Sequence, residues 1–319
     1  MTTPPAAAGL PYHRIHEAGL PGWWRPVAGV ICAIIGLFVV GSLVAIVPFV
    51  AWYVATGADL SASVTRLVDL TKPTPAGLAY LNLTLSTMIP MSWLINRVMH
   101  GLLPRWLASV GPRLRWRFLV ACMGVAVVAL FATLLVSAIT PGQSDGVSGH
   151  ANAWTSTTRD YLLVLLFLTP FQAAGEEYLF RGYLTQAFGG LFHRAWVAIV
   201  LPAFLFGLAH GLGQSIPVFF DRFAFGLVAG ALVVLTGGLE AGIAMHVLNN
   251  WLAFGLALAY GDMASTLNPT GGSWWSIPVT LTQSLVYLGL AVLVARRMGL
   301  ATTTGPTAPG VLEASAGRV

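Results

Sequence analysis

Apolar residues fill this chain in long blocks, and the short polar stretches between them collect arginine, proline, glycine and tryptophan. Eight blocks, at 27–52, 76–98, 118–139, 160–188, 195–213, 218–236, 239–260 and 276–295, approach the roughly 20 residues that a helix needs to cross a bilayer. The pattern predicts an all-α, polytopic membrane helical bundle of about eight transmembrane helices. The first block is too long and too far from the N-terminus for a cleavable signal peptide, so it is read as a retained span. Residues 1–22 and 301–319 lack such blocks and are rich in proline, alanine, threonine and glycine. They are expected to be loose tails around a single integral-membrane domain, residues 23–300. Leu60 to Leu70 predicts a short interfacial helix before Lys72-Pro73-Thr74-Pro75. Pro90, Pro170 and Pro202 fall inside predicted spans, where they kink a helix or free its carbonyls. Gly226-x-x-x-Gly230 permits close helix packing.

Composition removes the soluble alternative. The 319 residues are 56% hydrophobic and 8% charged, with mean hydropathy +0.78. Soluble domains carry about 25% charged residues. The net charge of +5 does not indicate nucleic-acid binding, because the basic residues sit beside apolar segments. Cys32 and Cys122 lie in separate apolar stretches and read as packing residues rather than a disulfide or metal pair. Basic residues set the orientation. Arg14, Arg25, Arg97, Arg105, Arg113, Arg115, Arg117, Arg194, Arg296, Arg297 and Arg318 fall on one side, and Arg66, Lys72, Arg159 and Arg222 on the other. Both termini are therefore expected in the cytoplasm, with the protein in a bacterial cell membrane. Trp23-Trp24, Trp52, Trp106 and Trp274-Trp275 lie at predicted span ends, where indole rings anchor at the interface.

The chemistry sits where the apolar pattern is broken. Glu176-Glu177-Tyr178-Leu179-Phe180-Arg181 interrupts the fourth span. Three ionisable groups facing lipid would cost on the order of 7–10 kcal/mol, so they must face a protein-lined cavity. Glu177 and Arg181 share a helix face at i,i+4, whereas Glu176 lies about 100° around the helix, without that partner. Two histidines interrupt later spans: His210 in Phe206-Gly207-Leu208-Ala209-His210, and His246 in His246-Val247-Leu248-Asn249-Asn250. Phe206 and His210 share one face, as do His246 and Asn250. Singly, each histidine or Asn250 can be interhelical glue, and Glu177–Arg181 a structural ion pair. Glu176 fits no such reading.

Glu-Glu-x-x-x-Arg, then Phe-x-x-x-His, then His-x-x-x-Asn, in this order on successive helices, resembles the CPBP family. These are the type II CaaX prenyl proteases and their bacterial Abi, bacteriocin-processing relatives, often called intramembrane glutamic endopeptidases. The resemblance covers roughly residues 155–260. It implies a metal-independent intramembrane peptidase with no cofactor, acting on a peptide or protein substrate within the lipid bilayer. Hydrolysis needs a water nucleophile, a base and donors for the oxyanion. Two adjacent glutamates, one matched by an arginine and one not, can take different roles. Glu176 is assigned as the base, with His210 holding and polarising the water. Glu177, Arg181 and Phe206 support the site. By resemblance, His246 and Asn250 serve the oxyanion. No serine or cysteine near the motifs offers a nucleophile.

Three alternatives compete. A zinc site could use His210, His246 and Glu176, but His-Glu-x-x-His is missing and the glutamate doublet would have no role. A proton-coupled transporter would show internal repeats or matched broken helices. A non-catalytic immunity or scaffold protein would not need intact motifs. One tension remains inside the preferred reading. The predicted spans put Glu176 just past mid-membrane, His210 near the outer end of its span and His246 toward the inner side of its own, whereas one site requires a common depth.

Overall fold

The computed structural model describes residues 9–140, 150–211, 213–269 and 271–305. These form an all-α bundle. Extended pairing among them is confined to the isolated bridges Pro11–Thr303 and Ser109–Gly238. Helix α1 (Trp24–Ala55) is followed by α2 (Leu60–Val68), α3 (Pro75–His100), α4 (Trp116–Ile139), α5 (Ser156–Phe167) and α6 (Thr169–Phe192). Then come α7 (Ala195–Ala209), α8 (Ile216–Thr236), α9 (Glu240–Tyr260), α10 (Met263–Leu267) and α11 (Ser276–Arg297).

Local chemistry sets several boundaries. Asp59 caps α2 by accepting from Ala62 N at 2.9 Å, as a short acceptor at a helix start does. Thr74 caps α3 through Gly77 N at 3.0 Å, with Pro75 in the first turn. Thr155 and Thr158 close a capping box at the start of α5.

Among the described residues six helices are long and apolar enough to cross a membrane: α1, α3, α4, α8, α9 and α11. They match six of the eight expected spans. The expected span 160–188 is instead a pair, α5 and α6, bent by 42° at Leu168. Pro170 lies in the first turn after the bend, where its missing N–H costs nothing. The expected span 195–213 ends early: α7 has 15 residues and stops at Ala209.

Part of the expected loose N-terminal tail is structured. Residues Tyr12–Ala18 form a 3₁₀ turn that buries Tyr12, His13, Ile15 and His16. It lies against α6 at Gly189, where a Cβ would overlap the His13 carbonyl. Residues 1–8 and 306–319 of the expected tails lie outside the described residues.

Helix α9 is the centre of the bundle. Its first two turns, from Glu240 to Val247, are buried on every face. Arg115, at the start of α4, holds Glu240 through Nη2–Oε2 at 2.7 Å and Nε–Oε1 at 2.9 Å. Tyr287 of α11 donates to Ala241 O at 2.8 Å. The apolar side chains that remain exposed, such as Ile31 and Phe38 on α1 and Val120 and Leu135 on α4, form the surface that lipid covers.

Candidate active site

Helix α6 changes pitch inside the glutamate motif. It is α-helical through Glu176 and becomes a π-helix over Glu177–Leu184. Such wide turns mark functional sites because they re-aim side chains and leave a looser hydrogen-bond ladder. Thr185 Oγ1 caps one loosened carbonyl, that of Phe180, at 3.1 Å.

Both glutamates, one on either side of this change of pitch, face α9. Glu177 Oε1 accepts from Arg181 Nη1 at 2.9 Å and faces His246 Nδ1 at 2.9 Å. His246 Nε2 faces Glu176 Oε2 at 3.2 Å. One imidazole thus bridges two carboxylates. All are buried: Glu177 is 0% exposed, Arg181 1%, His246 4% and Glu176 7%. The Arg181 guanidinium lies over the Phe206 ring at 4.2 Å, which gives the Phe206 motif position its work, a cation–π contact. Gly242 makes room for the other oxygen of Glu177; a Cβ there would lie 2.6 Å from Oε2.

His210 caps the end of α7. Its Nδ1 lies 2.8 Å from Phe206 O. A carbonyl only accepts, so Nδ1 carries a proton, and in the neutral ring Nε2 keeps its lone pair. The ring stands edge-on to Phe206 at 4.7 Å, and Phe206 stands edge-on to His246 at 6.0 Å. Asn250 Nδ2 donates to Gln172 Oε1 at 2.9 Å.

Glu176, His210, His246 and Asn250 line a single cavity of about 500 Å³. The separate depths expected from the spans are brought together by the bend at Leu168 and by the early end of α7. Gln172, Asp221 and Arg222 share the cavity wall. Sequence reading missed these three. Gln172 lies one turn before Glu176, a polar break in an apolar run. Arg222, counted on the outer side for orientation, stands instead in α8 facing the cavity. Among the described residues no three His, Cys, Asp or Glu side chains cluster to hold a metal ion. The His210–His246–Glu176 set weighed for zinc is therefore not assembled as a ligand trio.

Residues 158–252 match the family described as type II CAAX prenyl endopeptidase Rce1-like, and the match contains all three motifs. Over this stretch the chain is similar to that family. The family is one of CAAX-type proteases of membranes. A similar curated protein is the uncharacterized protein YyaK of Bacillus subtilis (strain 168), 28% identical over 141 residues, which cover 41% of this chain and 47% of that relative. The match spans about half the relative's length. No solved structure matches the chain. The Rce1-like stretch runs from α5 into α9 and so supplies the bent helix pair, both histidines and the cavity wall of α8, while α1, α3, α4 and α11 surround it.

Proposed function

We propose that this protein is an intramembrane glutamic endopeptidase that hydrolyses a peptide bond with a water activated by Glu176 and His210, without a metal. The supporting observation is the bridge Glu177–His246–Glu176 at the wall of a cavity that His210 and Asn250 also line. Glu176 takes a proton as the water oxygen bonds to the scissile carbonyl carbon, and the carbonyl π electrons move to oxygen. His210 Nε2 holds the water's other hydrogen and sets its direction. The intermediate collapses, the C–N bond breaks, and the amine leaves with the proton from Glu176. Asn250 uses one amide N–H on Gln172 and has a second for the oxyanion. His246 Nε2 joins it when Glu176 turns to the water. Glu177 and Arg181 hold the imidazole from behind.

In this reading the substrate is a peptide or protein segment entering from the bilayer of a bacterial cell, and both termini lie in the cytoplasm. Purified protein in lipid nanodiscs, incubated with a peptide library and analysed by mass spectrometry, tests it. Cleavage should survive strong chelators and vanish in Glu176→Gln. Cleavage retained in Glu176→Gln, or lost to chelator and restored by zinc, overturns the assignment. Glu176→Ala should retain uncleaved peptides and so reveal the substrate.

A further inference from the structure

Helix α7 stops at Ala209, and the free carbonyls of its last turn need donors. In a low-dielectric setting each unpaired one costs several kcal/mol. Three donors meet them: His210 Nδ1 on Phe206 O at 2.8 Å, Gly211 N on Leu208 O at 3.0 Å, and Gln214 Nε2 on Gly207 O at 2.7 Å. The Gln214 amide also donates to Gly211 O at 2.8 Å. It therefore ties the last turn of α7 to the turn that follows His210. Its orientation is fixed from the neighbouring helix: Gln214 Oε1 accepts from Arg222 Nη1 at 2.7 Å. Arg222 makes no ion pair among the described residues, so Gln214 is the acceptor that aims it. The glutamine oxygen can only face Arg222 if its nitrogen faces the two carbonyls.

We propose that Gln214 and Arg222 form a clamp that positions His210: Arg222 orients the Gln214 amide, which holds the α7 terminus so that the His210 ring keeps Nδ1 on Phe206 and Nε2 for the cavity that Glu176 also lines. This rests on the peptidase reading of the site. Neither residue touches the reacting atoms; both act through His210 and are positioning residues. Gln214→Leu removes both halves of the clamp. Gln214→Glu keeps the acceptor for Arg222 but loses the donor to the carbonyls. Arg222→Lys keeps one donor.

Two measurements separate this proposal from the peptidase reading. In ¹⁵N-histidine-labelled protein the His210 ring, assigned by its loss in His210→Ala, should show a single Nδ1–H tautomer. Gln214→Leu should convert it to an averaged signal, while Arg222→Lys keeps it. With an active peptide, Gln214→Leu should lower kcat roughly 100-fold at near-constant KM, as a small misplacement of a reacting group does. The same change in a His210→Ala background should have under about a 2-fold effect, since residues that act as a unit are not additive. Gln214→Glu should behave like Gln214→Leu. An unchanged His210 signal in Gln214→Leu, or an equal loss in both backgrounds, overturns the clamp. A wild-type protein that cleaves nothing overturns the peptidase reading and leaves the clamp to be judged by the ring signal alone.

Discussion

Glu176 and Glu177 are neighbours in sequence but not in their bonding. Glu177 uses one oxygen for both Arg181 and His246, and its other oxygen has no hydrogen-bond partner among the described residues. Glu176 meets the same imidazole from the cavity side and, among the described residues, belongs to no arginine pair. Substitution should separate them. Glu177→Gln leaves Arg181 buried without its counter-charge, a change that costs about 3–5 kcal/mol when a buried pair is broken. Glu176→Gln keeps the size and a hydrogen-bonding group beside His246, so the melting temperature in detergent should hardly move while turnover is lost. Equal melting temperatures for the two variants would contradict the division of roles. The motif spacing made the Glu177–Arg181 pair legible, because i,i+4 on a helix is a short-range relation. The Glu177–His246 bond joins residues 69 positions apart, and the Asn250–Gln172 bond 78. No local pattern encodes those partners: the break in an apolar run singled out His246 and Asn250, and only the family resemblance gave them a role.

At the scale of elements, α6 is held in place by a close approach. Gly175, just before Glu176, faces the backbone of α3, and a Cβ there would overlap the Leu85 carbonyl. Backbone cannot rotate away as a side chain can. Gly175→Ala should therefore push α3 and α6 apart, costing about 1–3 kcal/mol by overpacking. A lower melting temperature together with loss of cleavage would show it; a wild-type melting curve would refute the contact.

A second element was hidden by its composition. Residues 1–22 read as a proline- and alanine-rich tail, yet Tyr12, His13, Ile15 and His16 within them form a buried turn. His16 stacks on His100 with ring centroids 3.7 Å apart, and its Nε2 lies 3.0 Å from Asn96 Oδ1. Burial, and then the neighbouring His100, hold the His16 pKa well below its usual value of 6.5, against the raising effect of the Asn96 bond. The unfolded chain thus binds a proton at His16 that the folded protein excludes. Stability from this group is complete above pH 6.5 and falls as the pH drops below it. The melting temperature should decline between about pH 7.5 and 5, and the decline should be shallower in His16→Gln. Parallel curves for the two proteins would refute this coupling.

The described ends of the chain meet. Gly9 N donates to Thr304 O and Thr304 N to Leu10 O, both at 2.9 Å, so the bundle begins and finishes on one face. An even number of crossings follows. Six spans were legible because each is an uninterrupted apolar run. The bent pair and α7 were not, because hydropathy averages over Leu168 and cannot see a helix stop at Ala209. Contacts trace those parts. Asn152 N donates to Ala259 O at the end of α9 remote from Glu240 and Arg115, so α5 starts on the far face. Gly189 of α6 meets the N-terminal turn on the near face. Helix α8 ends at Thr236, whose carbonyl accepts from Arg115 at 2.9 Å, again on the near face. Helix α7 must therefore carry the chain outward, although 15 residues reach only about 22 Å of a core about 30 Å thick. Its end then lies within the membrane, and the turn with Gln214 is tolerated there because Gly211 N and the Gln214 amide meet the carbonyls it frees. Cysteine scanning in a Cys32→Ala, Cys122→Ala background, with a maleimide that cannot cross the bilayer, tests this route. Thr302→Cys and Arg194→Cys should label from one side, and Gly57→Cys, Trp154→Cys and Gly213→Cys from the other, giving eight crossings. Labelling of Arg194→Cys and Gly213→Cys from the same side would make α5, α6 and α7 a re-entrant excursion and leave six.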